Sequence, residues 1–236
     1  MNLIVLFKDD FLNGSGKVRI SGRRLKHVLE VHRACAGDEL CVGISGGQIG
    51  RGKITHLTNE HLEMDVRLSI APPPALPVTL VLALPRPKVL RRTLTAASSM
   101  GVKKIILINS YRVEKSFWQS PALVKESIER QLVLGLEQAR DTVMPEVITK
   151  PLFKPFVEDE LPAIIRDTTA LLAHPQASAS CPRGLEVRVT LVVGPEGGFI
   201  PYEIEKLTAC GFIPVKMGER TLSVESAVPA LLARLF

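Results

Sequence analysis

The run Ala71-Pro72-Pro73-Pro74-Ala75-Leu76-Pro77 fits neither a helix interior nor a central strand, because proline lacks the N–H and fixes φ. It makes a stiff spacer, and the pattern differs on its two sides. Before it, short alternating or β-rich runs cover residues 3–7, 17–20, 39–44, 48–57 and 61–68. Turn signals at Asn13-Gly14, Gly37-Asp38 and Gly46-Gly47 part these runs, and one helical stretch over 23–33 follows Ser21-Gly22. Several short strands with one helix predict a small β-barrel over residues 1–71.

After the spacer, strands and helices alternate over 72–236. Apolar runs at 78–84, 104–109, 169–173 and 189–193 predict buried strands, with further strands at 143–149 and 213–217. Helices are predicted over 88–100, stopped by Gly101, and over 121–140, 158–166 and 201–209. Pro229 is tolerated in a first turn, so a terminal helix is expected to begin near Ser226. The fold class is α/β, a largely parallel sheet with helices on both faces.

Several function classes are excluded. No apolar stretch is long enough to span a bilayer, and Met1-Asn2-Leu3-Ile4-Val5-Leu6-Phe7-Lys8 reads as a first strand rather than a signal peptide. Cys35, Cys41, Cys181 and Cys210 include no C-x-x-C pair, and the five histidines no H-E-x-x-H, so neither a disulfide framework nor a metal site is expected. A cytoplasmic protein with reduced thiols fits. The net charge of +6 is unevenly spread. Residues 71–120 hold eight Lys/Arg (Arg86, Lys88, Arg91, Arg92, Lys103, Lys104, Arg112, Lys115) against one acidic residue. That block is either a solvated face or a set of phosphate contacts to a nucleic acid.

Gly194-Pro195-Glu196-Gly197-Gly198 follows the run 189–193 and precedes a helix with proline at its first position. Open α/β sheets bind ligands at such strand ends. The loop is neither Gly-x-Gly-x-x-Gly nor a P-loop, which argues against a dinucleotide or ATP. It is either a tight turn or a cradle whose glycines admit a ligand to the main chain. Loops after Ala173 and Met217 join it as candidates for enclosing an adenosine-containing molecule.

At this point the motifs carry a resemblance. Residues 191–199 and 217–227 resemble the S-adenosylmethionine sites of SPOUT methyltransferases, and within that class the chain is similar to the small-subunit (16S) ribosomal RNA uridine N3-methyltransferases. His27, Val31, Arg33 and Gly37-Asp38 match the helix and turn of that family's PUA-like RNA-binding barrel. Ser110-Tyr111-Arg112, Glu137-Gln138 with Pro145, His174-Pro175, the glycine loop and Gly218-x-Arg220-x-Leu222 then follow in the family's order. The resemblance implies a PUA-like barrel (1–71), a SPOUT domain (72–236) with a C-terminal trefoil knot, S-adenosylmethionine as cofactor and a homodimer. Its implied substrate is 16S rRNA or the small ribosomal subunit. The chain departs from the pattern at Ser223, where a second arginine is usual, and at Ser226, Ala96, Ser99-Met100 and Asp141. The cofactor loops are intact and the substrate-facing set is altered.

The resemblance implies cofactor contacts from Leu172, His174, Gly194, Glu196, Gly197, Gly198, Met217, Gly218 and Leu222. Methyl transfer to a protonated uridine N3 needs a proton acceptor and a stabiliser for charge on the uracil oxygens. Arg220 is the candidate stabiliser, the alternative being an ion pair with Glu219 or Glu225. Glu225 is either the base or an acidic residue at a helix start. Glu196 either faces cofactor and substrate or braces its loop, and His174 shapes its own. RNA contacts are expected from Arg23, Arg24, Lys26, Arg33, Arg86, Lys88, Arg91 and Arg112. Trp118 with Phe117 either stacks on a base or packs in the core. Two other outcomes fit the same residues: a SPOUT enzyme with another target, such as tRNA ribose 2′-O, or an RNA-binding protein with little catalysis.

Overall fold

The computed structural model describes residues 2–12 and 16–236, and the expected Asn13-Gly14 turn lies outside the described residues. Contacts divide the chain into two compact units, Met1–Pro74 with Val133–Met144, and Ala75–Leu132 with Pro145–Phe236.

The first unit holds β1 (Ile4–Leu6), β2 (Phe11–Leu12), β3 (Lys17–Ile20), α1 (Gly22–His27), β4 (Glu39–Ile44), β5 (Ile49–Leu57) and β6 (Leu62–Ile70). The strands form one sheet in the order β1-β4-β5-β6-β3-β2, parallel only between β1 and β4. Where a small β-barrel is expected, the strands form a half-barrel. Its edge strands β1 and β2 are three and two residues long and do not pair with each other among the described residues. The expected helix over 23–33 is also irregular. After α1 the chain widens into a π turn, Val28–His32, and stops at Arg33 with φ +52°.

Strand alternation sends β1 side chains to both faces. Ile4 and Leu6 join Val18, Ile20, Leu25, Val42, Ile54 and Met64 in the main core. Leu3 and Val5 point the other way and pack with Ile49, Val133 and Leu136. This second face explains why residues 133–144 belong to the first unit, which a single cut at residue 71 does not anticipate. Main-chain bonds tie the segment down: Asn2 and Leu3 N–H donate to Glu137 O, each at 3.0 Å, and Gly46 N–H donates to Thr142 O at 2.8 Å. A Cβ built on Gly50 in β5 would lie 1.9 Å from the Arg67 carbonyl oxygen on β6. Gly50→Ala is therefore expected to cost about 3 kcal/mol by forcing backbone apart. Urea unfolding measures this, and an unchanged midpoint would contradict the packing.

The second unit contains β7 (Val78–Ala83), α2 (Pro87–Ser99), β8 (Lys104–Ile108), the first half of α3 (Lys125–Ala139), β9 (Glu146–Lys150), α4 (Phe153–Pro155) and α5 (Leu161–Ile165). It continues through β10 (Thr169–Ala173), β11 (Ala179–Ser180), β12 (Val189–Val193), α6 (Pro201–Ala209), β13 (Ile213–Lys216) and α7 (Val224–Leu235). All seven strands are parallel, in the order β11-β13-β10-β12-β7-β8-β9. β12 lies between β10 and β7, and all five of its residues are buried. That position explains its unbroken apolar run.

Three elements differ from expectation. The helix over 121–140 is interrupted, because Pro121–Leu123 forms a separate 3-10 turn and Val124 is extended before α3 begins. The edge strand β11 has too little apolar pattern to foresee. α7 starts at Val224, so Pro229 falls in its second turn. Ser223 O accepts from Ser226 N–H at 3.0 Å and Ala227 N–H at 2.7 Å, which secures the first turn upstream of the proline.

Candidate functional site

The strand order β13-β10-β12 makes three chain-distant strands neighbours, and their shared direction brings their C-terminal loops to one edge of the sheet. These are the three loops singled out from sequence. They enclose a cavity of about 450 Å³, within the range of roughly 300–1,000 Å³ typical of small-ligand clefts. His174, Gly194, Glu196, Gly197, Gly198, Met217, Gly218, Arg220 and Leu222 line it. Phe199, Val224, Ala227 and Leu231 add apolar wall. Leu172 is not among the lining residues. It sits one position inside β10, paired with Val192 and Pro214 and 0% exposed, which leaves Ala173 to reach the cavity.

The glycine loop is braced from outside. Glu196 Oε1 accepts from Arg86 N–H at 3.0 Å. Arg112 Nη1 donates to Gly197 O. Gly198 has φ +72°, and its N–H donates to Pro195 O at 2.8 Å. A Cβ on Gly194 would meet the Phe199 ring at 3.1 Å, and one on Gly197 would meet Arg112 Cδ at 3.0 Å. The protein's own packing thus accounts for these three glycines, beside the tight turn and the ligand cradle that the sequence leaves open. At Gly218, by contrast, a Cβ would meet nothing within 4 Å.

Arg220 lines the cavity, and neither acid weighed as its partner holds it. Glu219 receives Lys216 Nζ at 2.9 Å, a bond that keeps its carboxyl below the usual carboxylate range. Glu225 takes Arg92 Nη1 at 3.2 Å, joining α7 to α2. Of the two roles weighed for Glu225, an acidic residue at a helix start fits its place in the first turn of α7. Val224 and Ala227 face the cavity, whereas Glu225 falls on the helix side turned to α2 and is absent from the lining. Glu196 is the one carboxylate among the described lining residues.

The expected RNA contacts separate into two groups. Arg86, Lys88, Arg91 and Arg112 in the second unit, and Lys26 and Arg33 in the first, are exposed. Arg23, exposed, and Arg24, half-buried, each pair with an acid of the same unit. Arg24 forms a two-pronged bond to Asp10, at 2.6 and 2.7 Å, and donates to Val5 O at 2.9 Å. Arg23 Nη1 lies 2.8 Å from Oε2 of Glu137, a carboxylate 1% exposed. A buried or half-buried acid holds each, so part of the donor capacity of both arginines is spent within the protein. Trp118 is likewise half-buried, with Nε1 donating to Asn109 Oδ1 at 2.9 Å.

Glu203 reads from sequence only as an acid favoured near the positive end of α6, and its reach to a distant loop has no sequence signal. Only 3% exposed, it accepts from Ile200 N–H at 3.0 Å and from Tyr111 N–H at 2.7 Å. It thereby caps α6 and fixes the loop after β8. Its third helical position matches that expectation, and the bond to Tyr111, 92 residues away, adds to it. No group of three or more His, Cys, Asp or Glu among the described residues could hold a metal ion, and no described helix is long and apolar enough to cross a membrane.

Residues 72–236 match the model of the RNA methyltransferase domain family. The chain is 28% identical over 239 residues to ribosomal RNA small subunit methyltransferase E of Treponema pallidum, covering 99% of this chain and 90% of that protein. It is 26% identical to the protein of the same name from Mycobacterium tuberculosis, over 97% of this chain and 89% of the relative. Among solved structures it is similar to a Neisseria gonorrhoeae ribosomal RNA small subunit methyltransferase E bound to S-adenosyl methionine, with TM-score 0.73, 19% identity and 99% and 95% of the two chains covered. It is also similar to Lpg2936 of Legionella pneumophila, solved in complex with the same cofactor, with TM-score 0.75, 19% identity and 98% and 96% coverage.

Proposed function

Because this chain belongs to the RNA methyltransferase domain family, we propose that it transfers a methyl group from S-adenosylmethionine to N3 of a uridine in small-subunit (16S) ribosomal RNA. The observation that carries this reading is the cavity formed by three loops on neighbouring parallel strands, with an arginine inside it that no described carboxylate holds. The names of the full-length relatives supply the small-subunit rRNA substrate, and two similar structures hold the same methyl donor.

The cavity fits that donor in kind. Apolar side chains such as Phe199, Met217, Leu222 and Leu231 suit a purine ring, and Gly218 leaves space beside the main chain. His174, Gly194, Glu196, Gly197, Gly198, Met217, Gly218 and Leu222 would hold it. Leu172 would act only by supporting the end of β10. When bound, the sulfonium supplies an electrophilic methyl. Arg220 offers its guanidinium to the uracil oxygens, where negative charge grows as N3 gives up its proton. Glu196, with Oε1 held by Arg86 N–H, orients a water or takes the proton through Oε2.

The finer architecture belongs to the same proposal. It comprises a PUA-like RNA-binding domain over 1–71, a SPOUT domain over 72–236 with its C-terminal chain knotted, a homodimer completing the site, and action in the cytoplasm. Arg86, Lys88, Arg91 and Arg112, with Lys26 and Arg33, hold RNA phosphates. Reversing the charge at Arg86, Lys88 and Arg91 is expected to weaken RNA binding and reduce its log–log salt slope by about 2, near 0.7 per single-strand phosphate contact. An unchanged slope would make that patch ordinary surface. Ser223, in place of the family's arginine, favours a second reading in which the same cavity serves ribose 2′-O-methylation of tRNA. Labelled methyl donor incubated with small subunits, free rRNA or tRNA, followed by nucleoside analysis, separates the two. The reading expects 3-methyluridine from the ribosomal substrate; 2′-O-methyl label in tRNA would overturn it.

A further inference from the structure

Tyr111 is the most exposed large hydrophobic residue among those described, at 80%, yet its backbone is held firmly. Its N–H donates to buried Glu203 at 2.7 Å, and Val113 N–H closes the turn onto Ser110 O at 3.0 Å. The next residue, Arg112, donates to Gly197 O in the cavity wall. An aromatic side chain with two rotatable bonds is thus presented to solvent from a fixed backbone beside the glycine loop. Its exposed neighbours are Arg112, Glu114 and Lys115. Burying such a ring against an apolar face is favourable, and the protein itself provides none.

We propose that Tyr111 stacks on an unpaired nucleobase of the RNA as the acceptor uridine enters the cavity. This deepens the proposed function and rests on it. A base taken from its stack loses neighbour contacts that an aromatic face replaces, and single-stranded RNA is commonly recognised by such rings beside guanidinium groups. Trp118 is half-buried and bonded to Asn109, so Tyr111, at 80% exposure, is the ring better placed to stack. Because the ring is uncharged, its contribution is independent of salt, unlike that of Arg86, Lys88 and Arg91.

The test compares the full chain with Tyr111→Ala and Tyr111→Phe. Binding is measured on a short uridine-containing single-stranded RNA and on the same RNA annealed to its complement. Tyr111→Ala is expected to weaken single-strand binding about tenfold and to leave duplex binding, salt slope, S-adenosylmethionine affinity and sedimentation unchanged. Tyr111→Phe keeps the ring and the affinity. Equal losses on both RNA forms, no loss on either, or a smaller sedimenting species for Tyr111→Ala would each overturn the proposal. Wild-type activity judges the parent reading separately. If the chain binds single strands through Tyr111 but transfers no methyl group, stacking stands and the enzymatic reading falls. If it methylates and Tyr111→Ala has an unchanged RNA KM, only stacking falls.

Discussion

Arg220→Ala is expected to slow methyl transfer about 100- to 1,000-fold, the usual effect of removing a donor aimed at developing negative charge, while cofactor affinity stays near the wild-type value. The basis is the distribution of acids around the cavity. Lys216 occupies Glu219 and Arg92 occupies Glu225, so Arg220 lines the cavity without serving an ion pair with either. A residue used only for bracing would instead lower thermal stability and leave the rate of the folded fraction intact. Single-turnover rates at saturating RNA and cofactor distinguish the outcomes. A rate within threefold of wild type would remove Arg220 from the chemistry.

Gly197→Val is expected to lower S-adenosylmethionine affinity by more than 100-fold without unfolding the protein. A β-carbon at this position approaches Arg112 Cδ at 3.0 Å and Arg112 Cβ at 3.3 Å, and valine adds two methyls to that conflict. The outcome is either expulsion of Arg112, losing its bond to the Gly197 carbonyl, or displacement of the loop into the cavity. Gly197 is exposed, so the fold itself has little reason to collapse. Calorimetry reads the affinity, and circular dichroism checks the fold. An Arg112→Ala, Gly197→Val double variant provides the control: relief of the clash is expected to restore part of the lost affinity. Undiminished binding by Gly197→Val would contradict the role assigned to this loop.

Much of the second unit was legible because its signals are local. The runs at 169–173 and 189–193 are strands with those bounds, and the helix at 201–209 has the bounds that Pro201 and Gly211 suggest. The approximate place of the three loops followed, and the strand order then made them neighbours. What stayed hidden depends on distant partners. Arg24 reads as surface charge until Asp10, fourteen residues away, is seen to grip it. Glu225 reads as either a base or a helix-start acid, and its bond to Arg92 across two helices has no sequence signal. Residues 133–140 read as the tail of one helix and 143–144 as the start of a strand, although packing against Leu3 and Val5 draws 133–144 into the first unit. The irregular elements fell short for another reason: the π turn at Val28–His32 and the second-turn Pro229 defy regular periodicity.

The resemblance added what periodicity lacks, a ligand and a reaction, and the RNA methyltransferase family match supports its broad reading. The geometry adds a reason for the loop glycines. Gly194 makes room for Phe199 and Gly197 for Arg112, so their absence of side chains shapes the wall before any ligand arrives.

The most direct test is crystallisation with S-adenosylmethionine. Density for the nucleoside walled by the loops after β10, β12 and β13, with its methyl directed toward Arg220, is the expected result. Density at another place, or saturating cofactor with those three loops vacant, would contradict the account at its root.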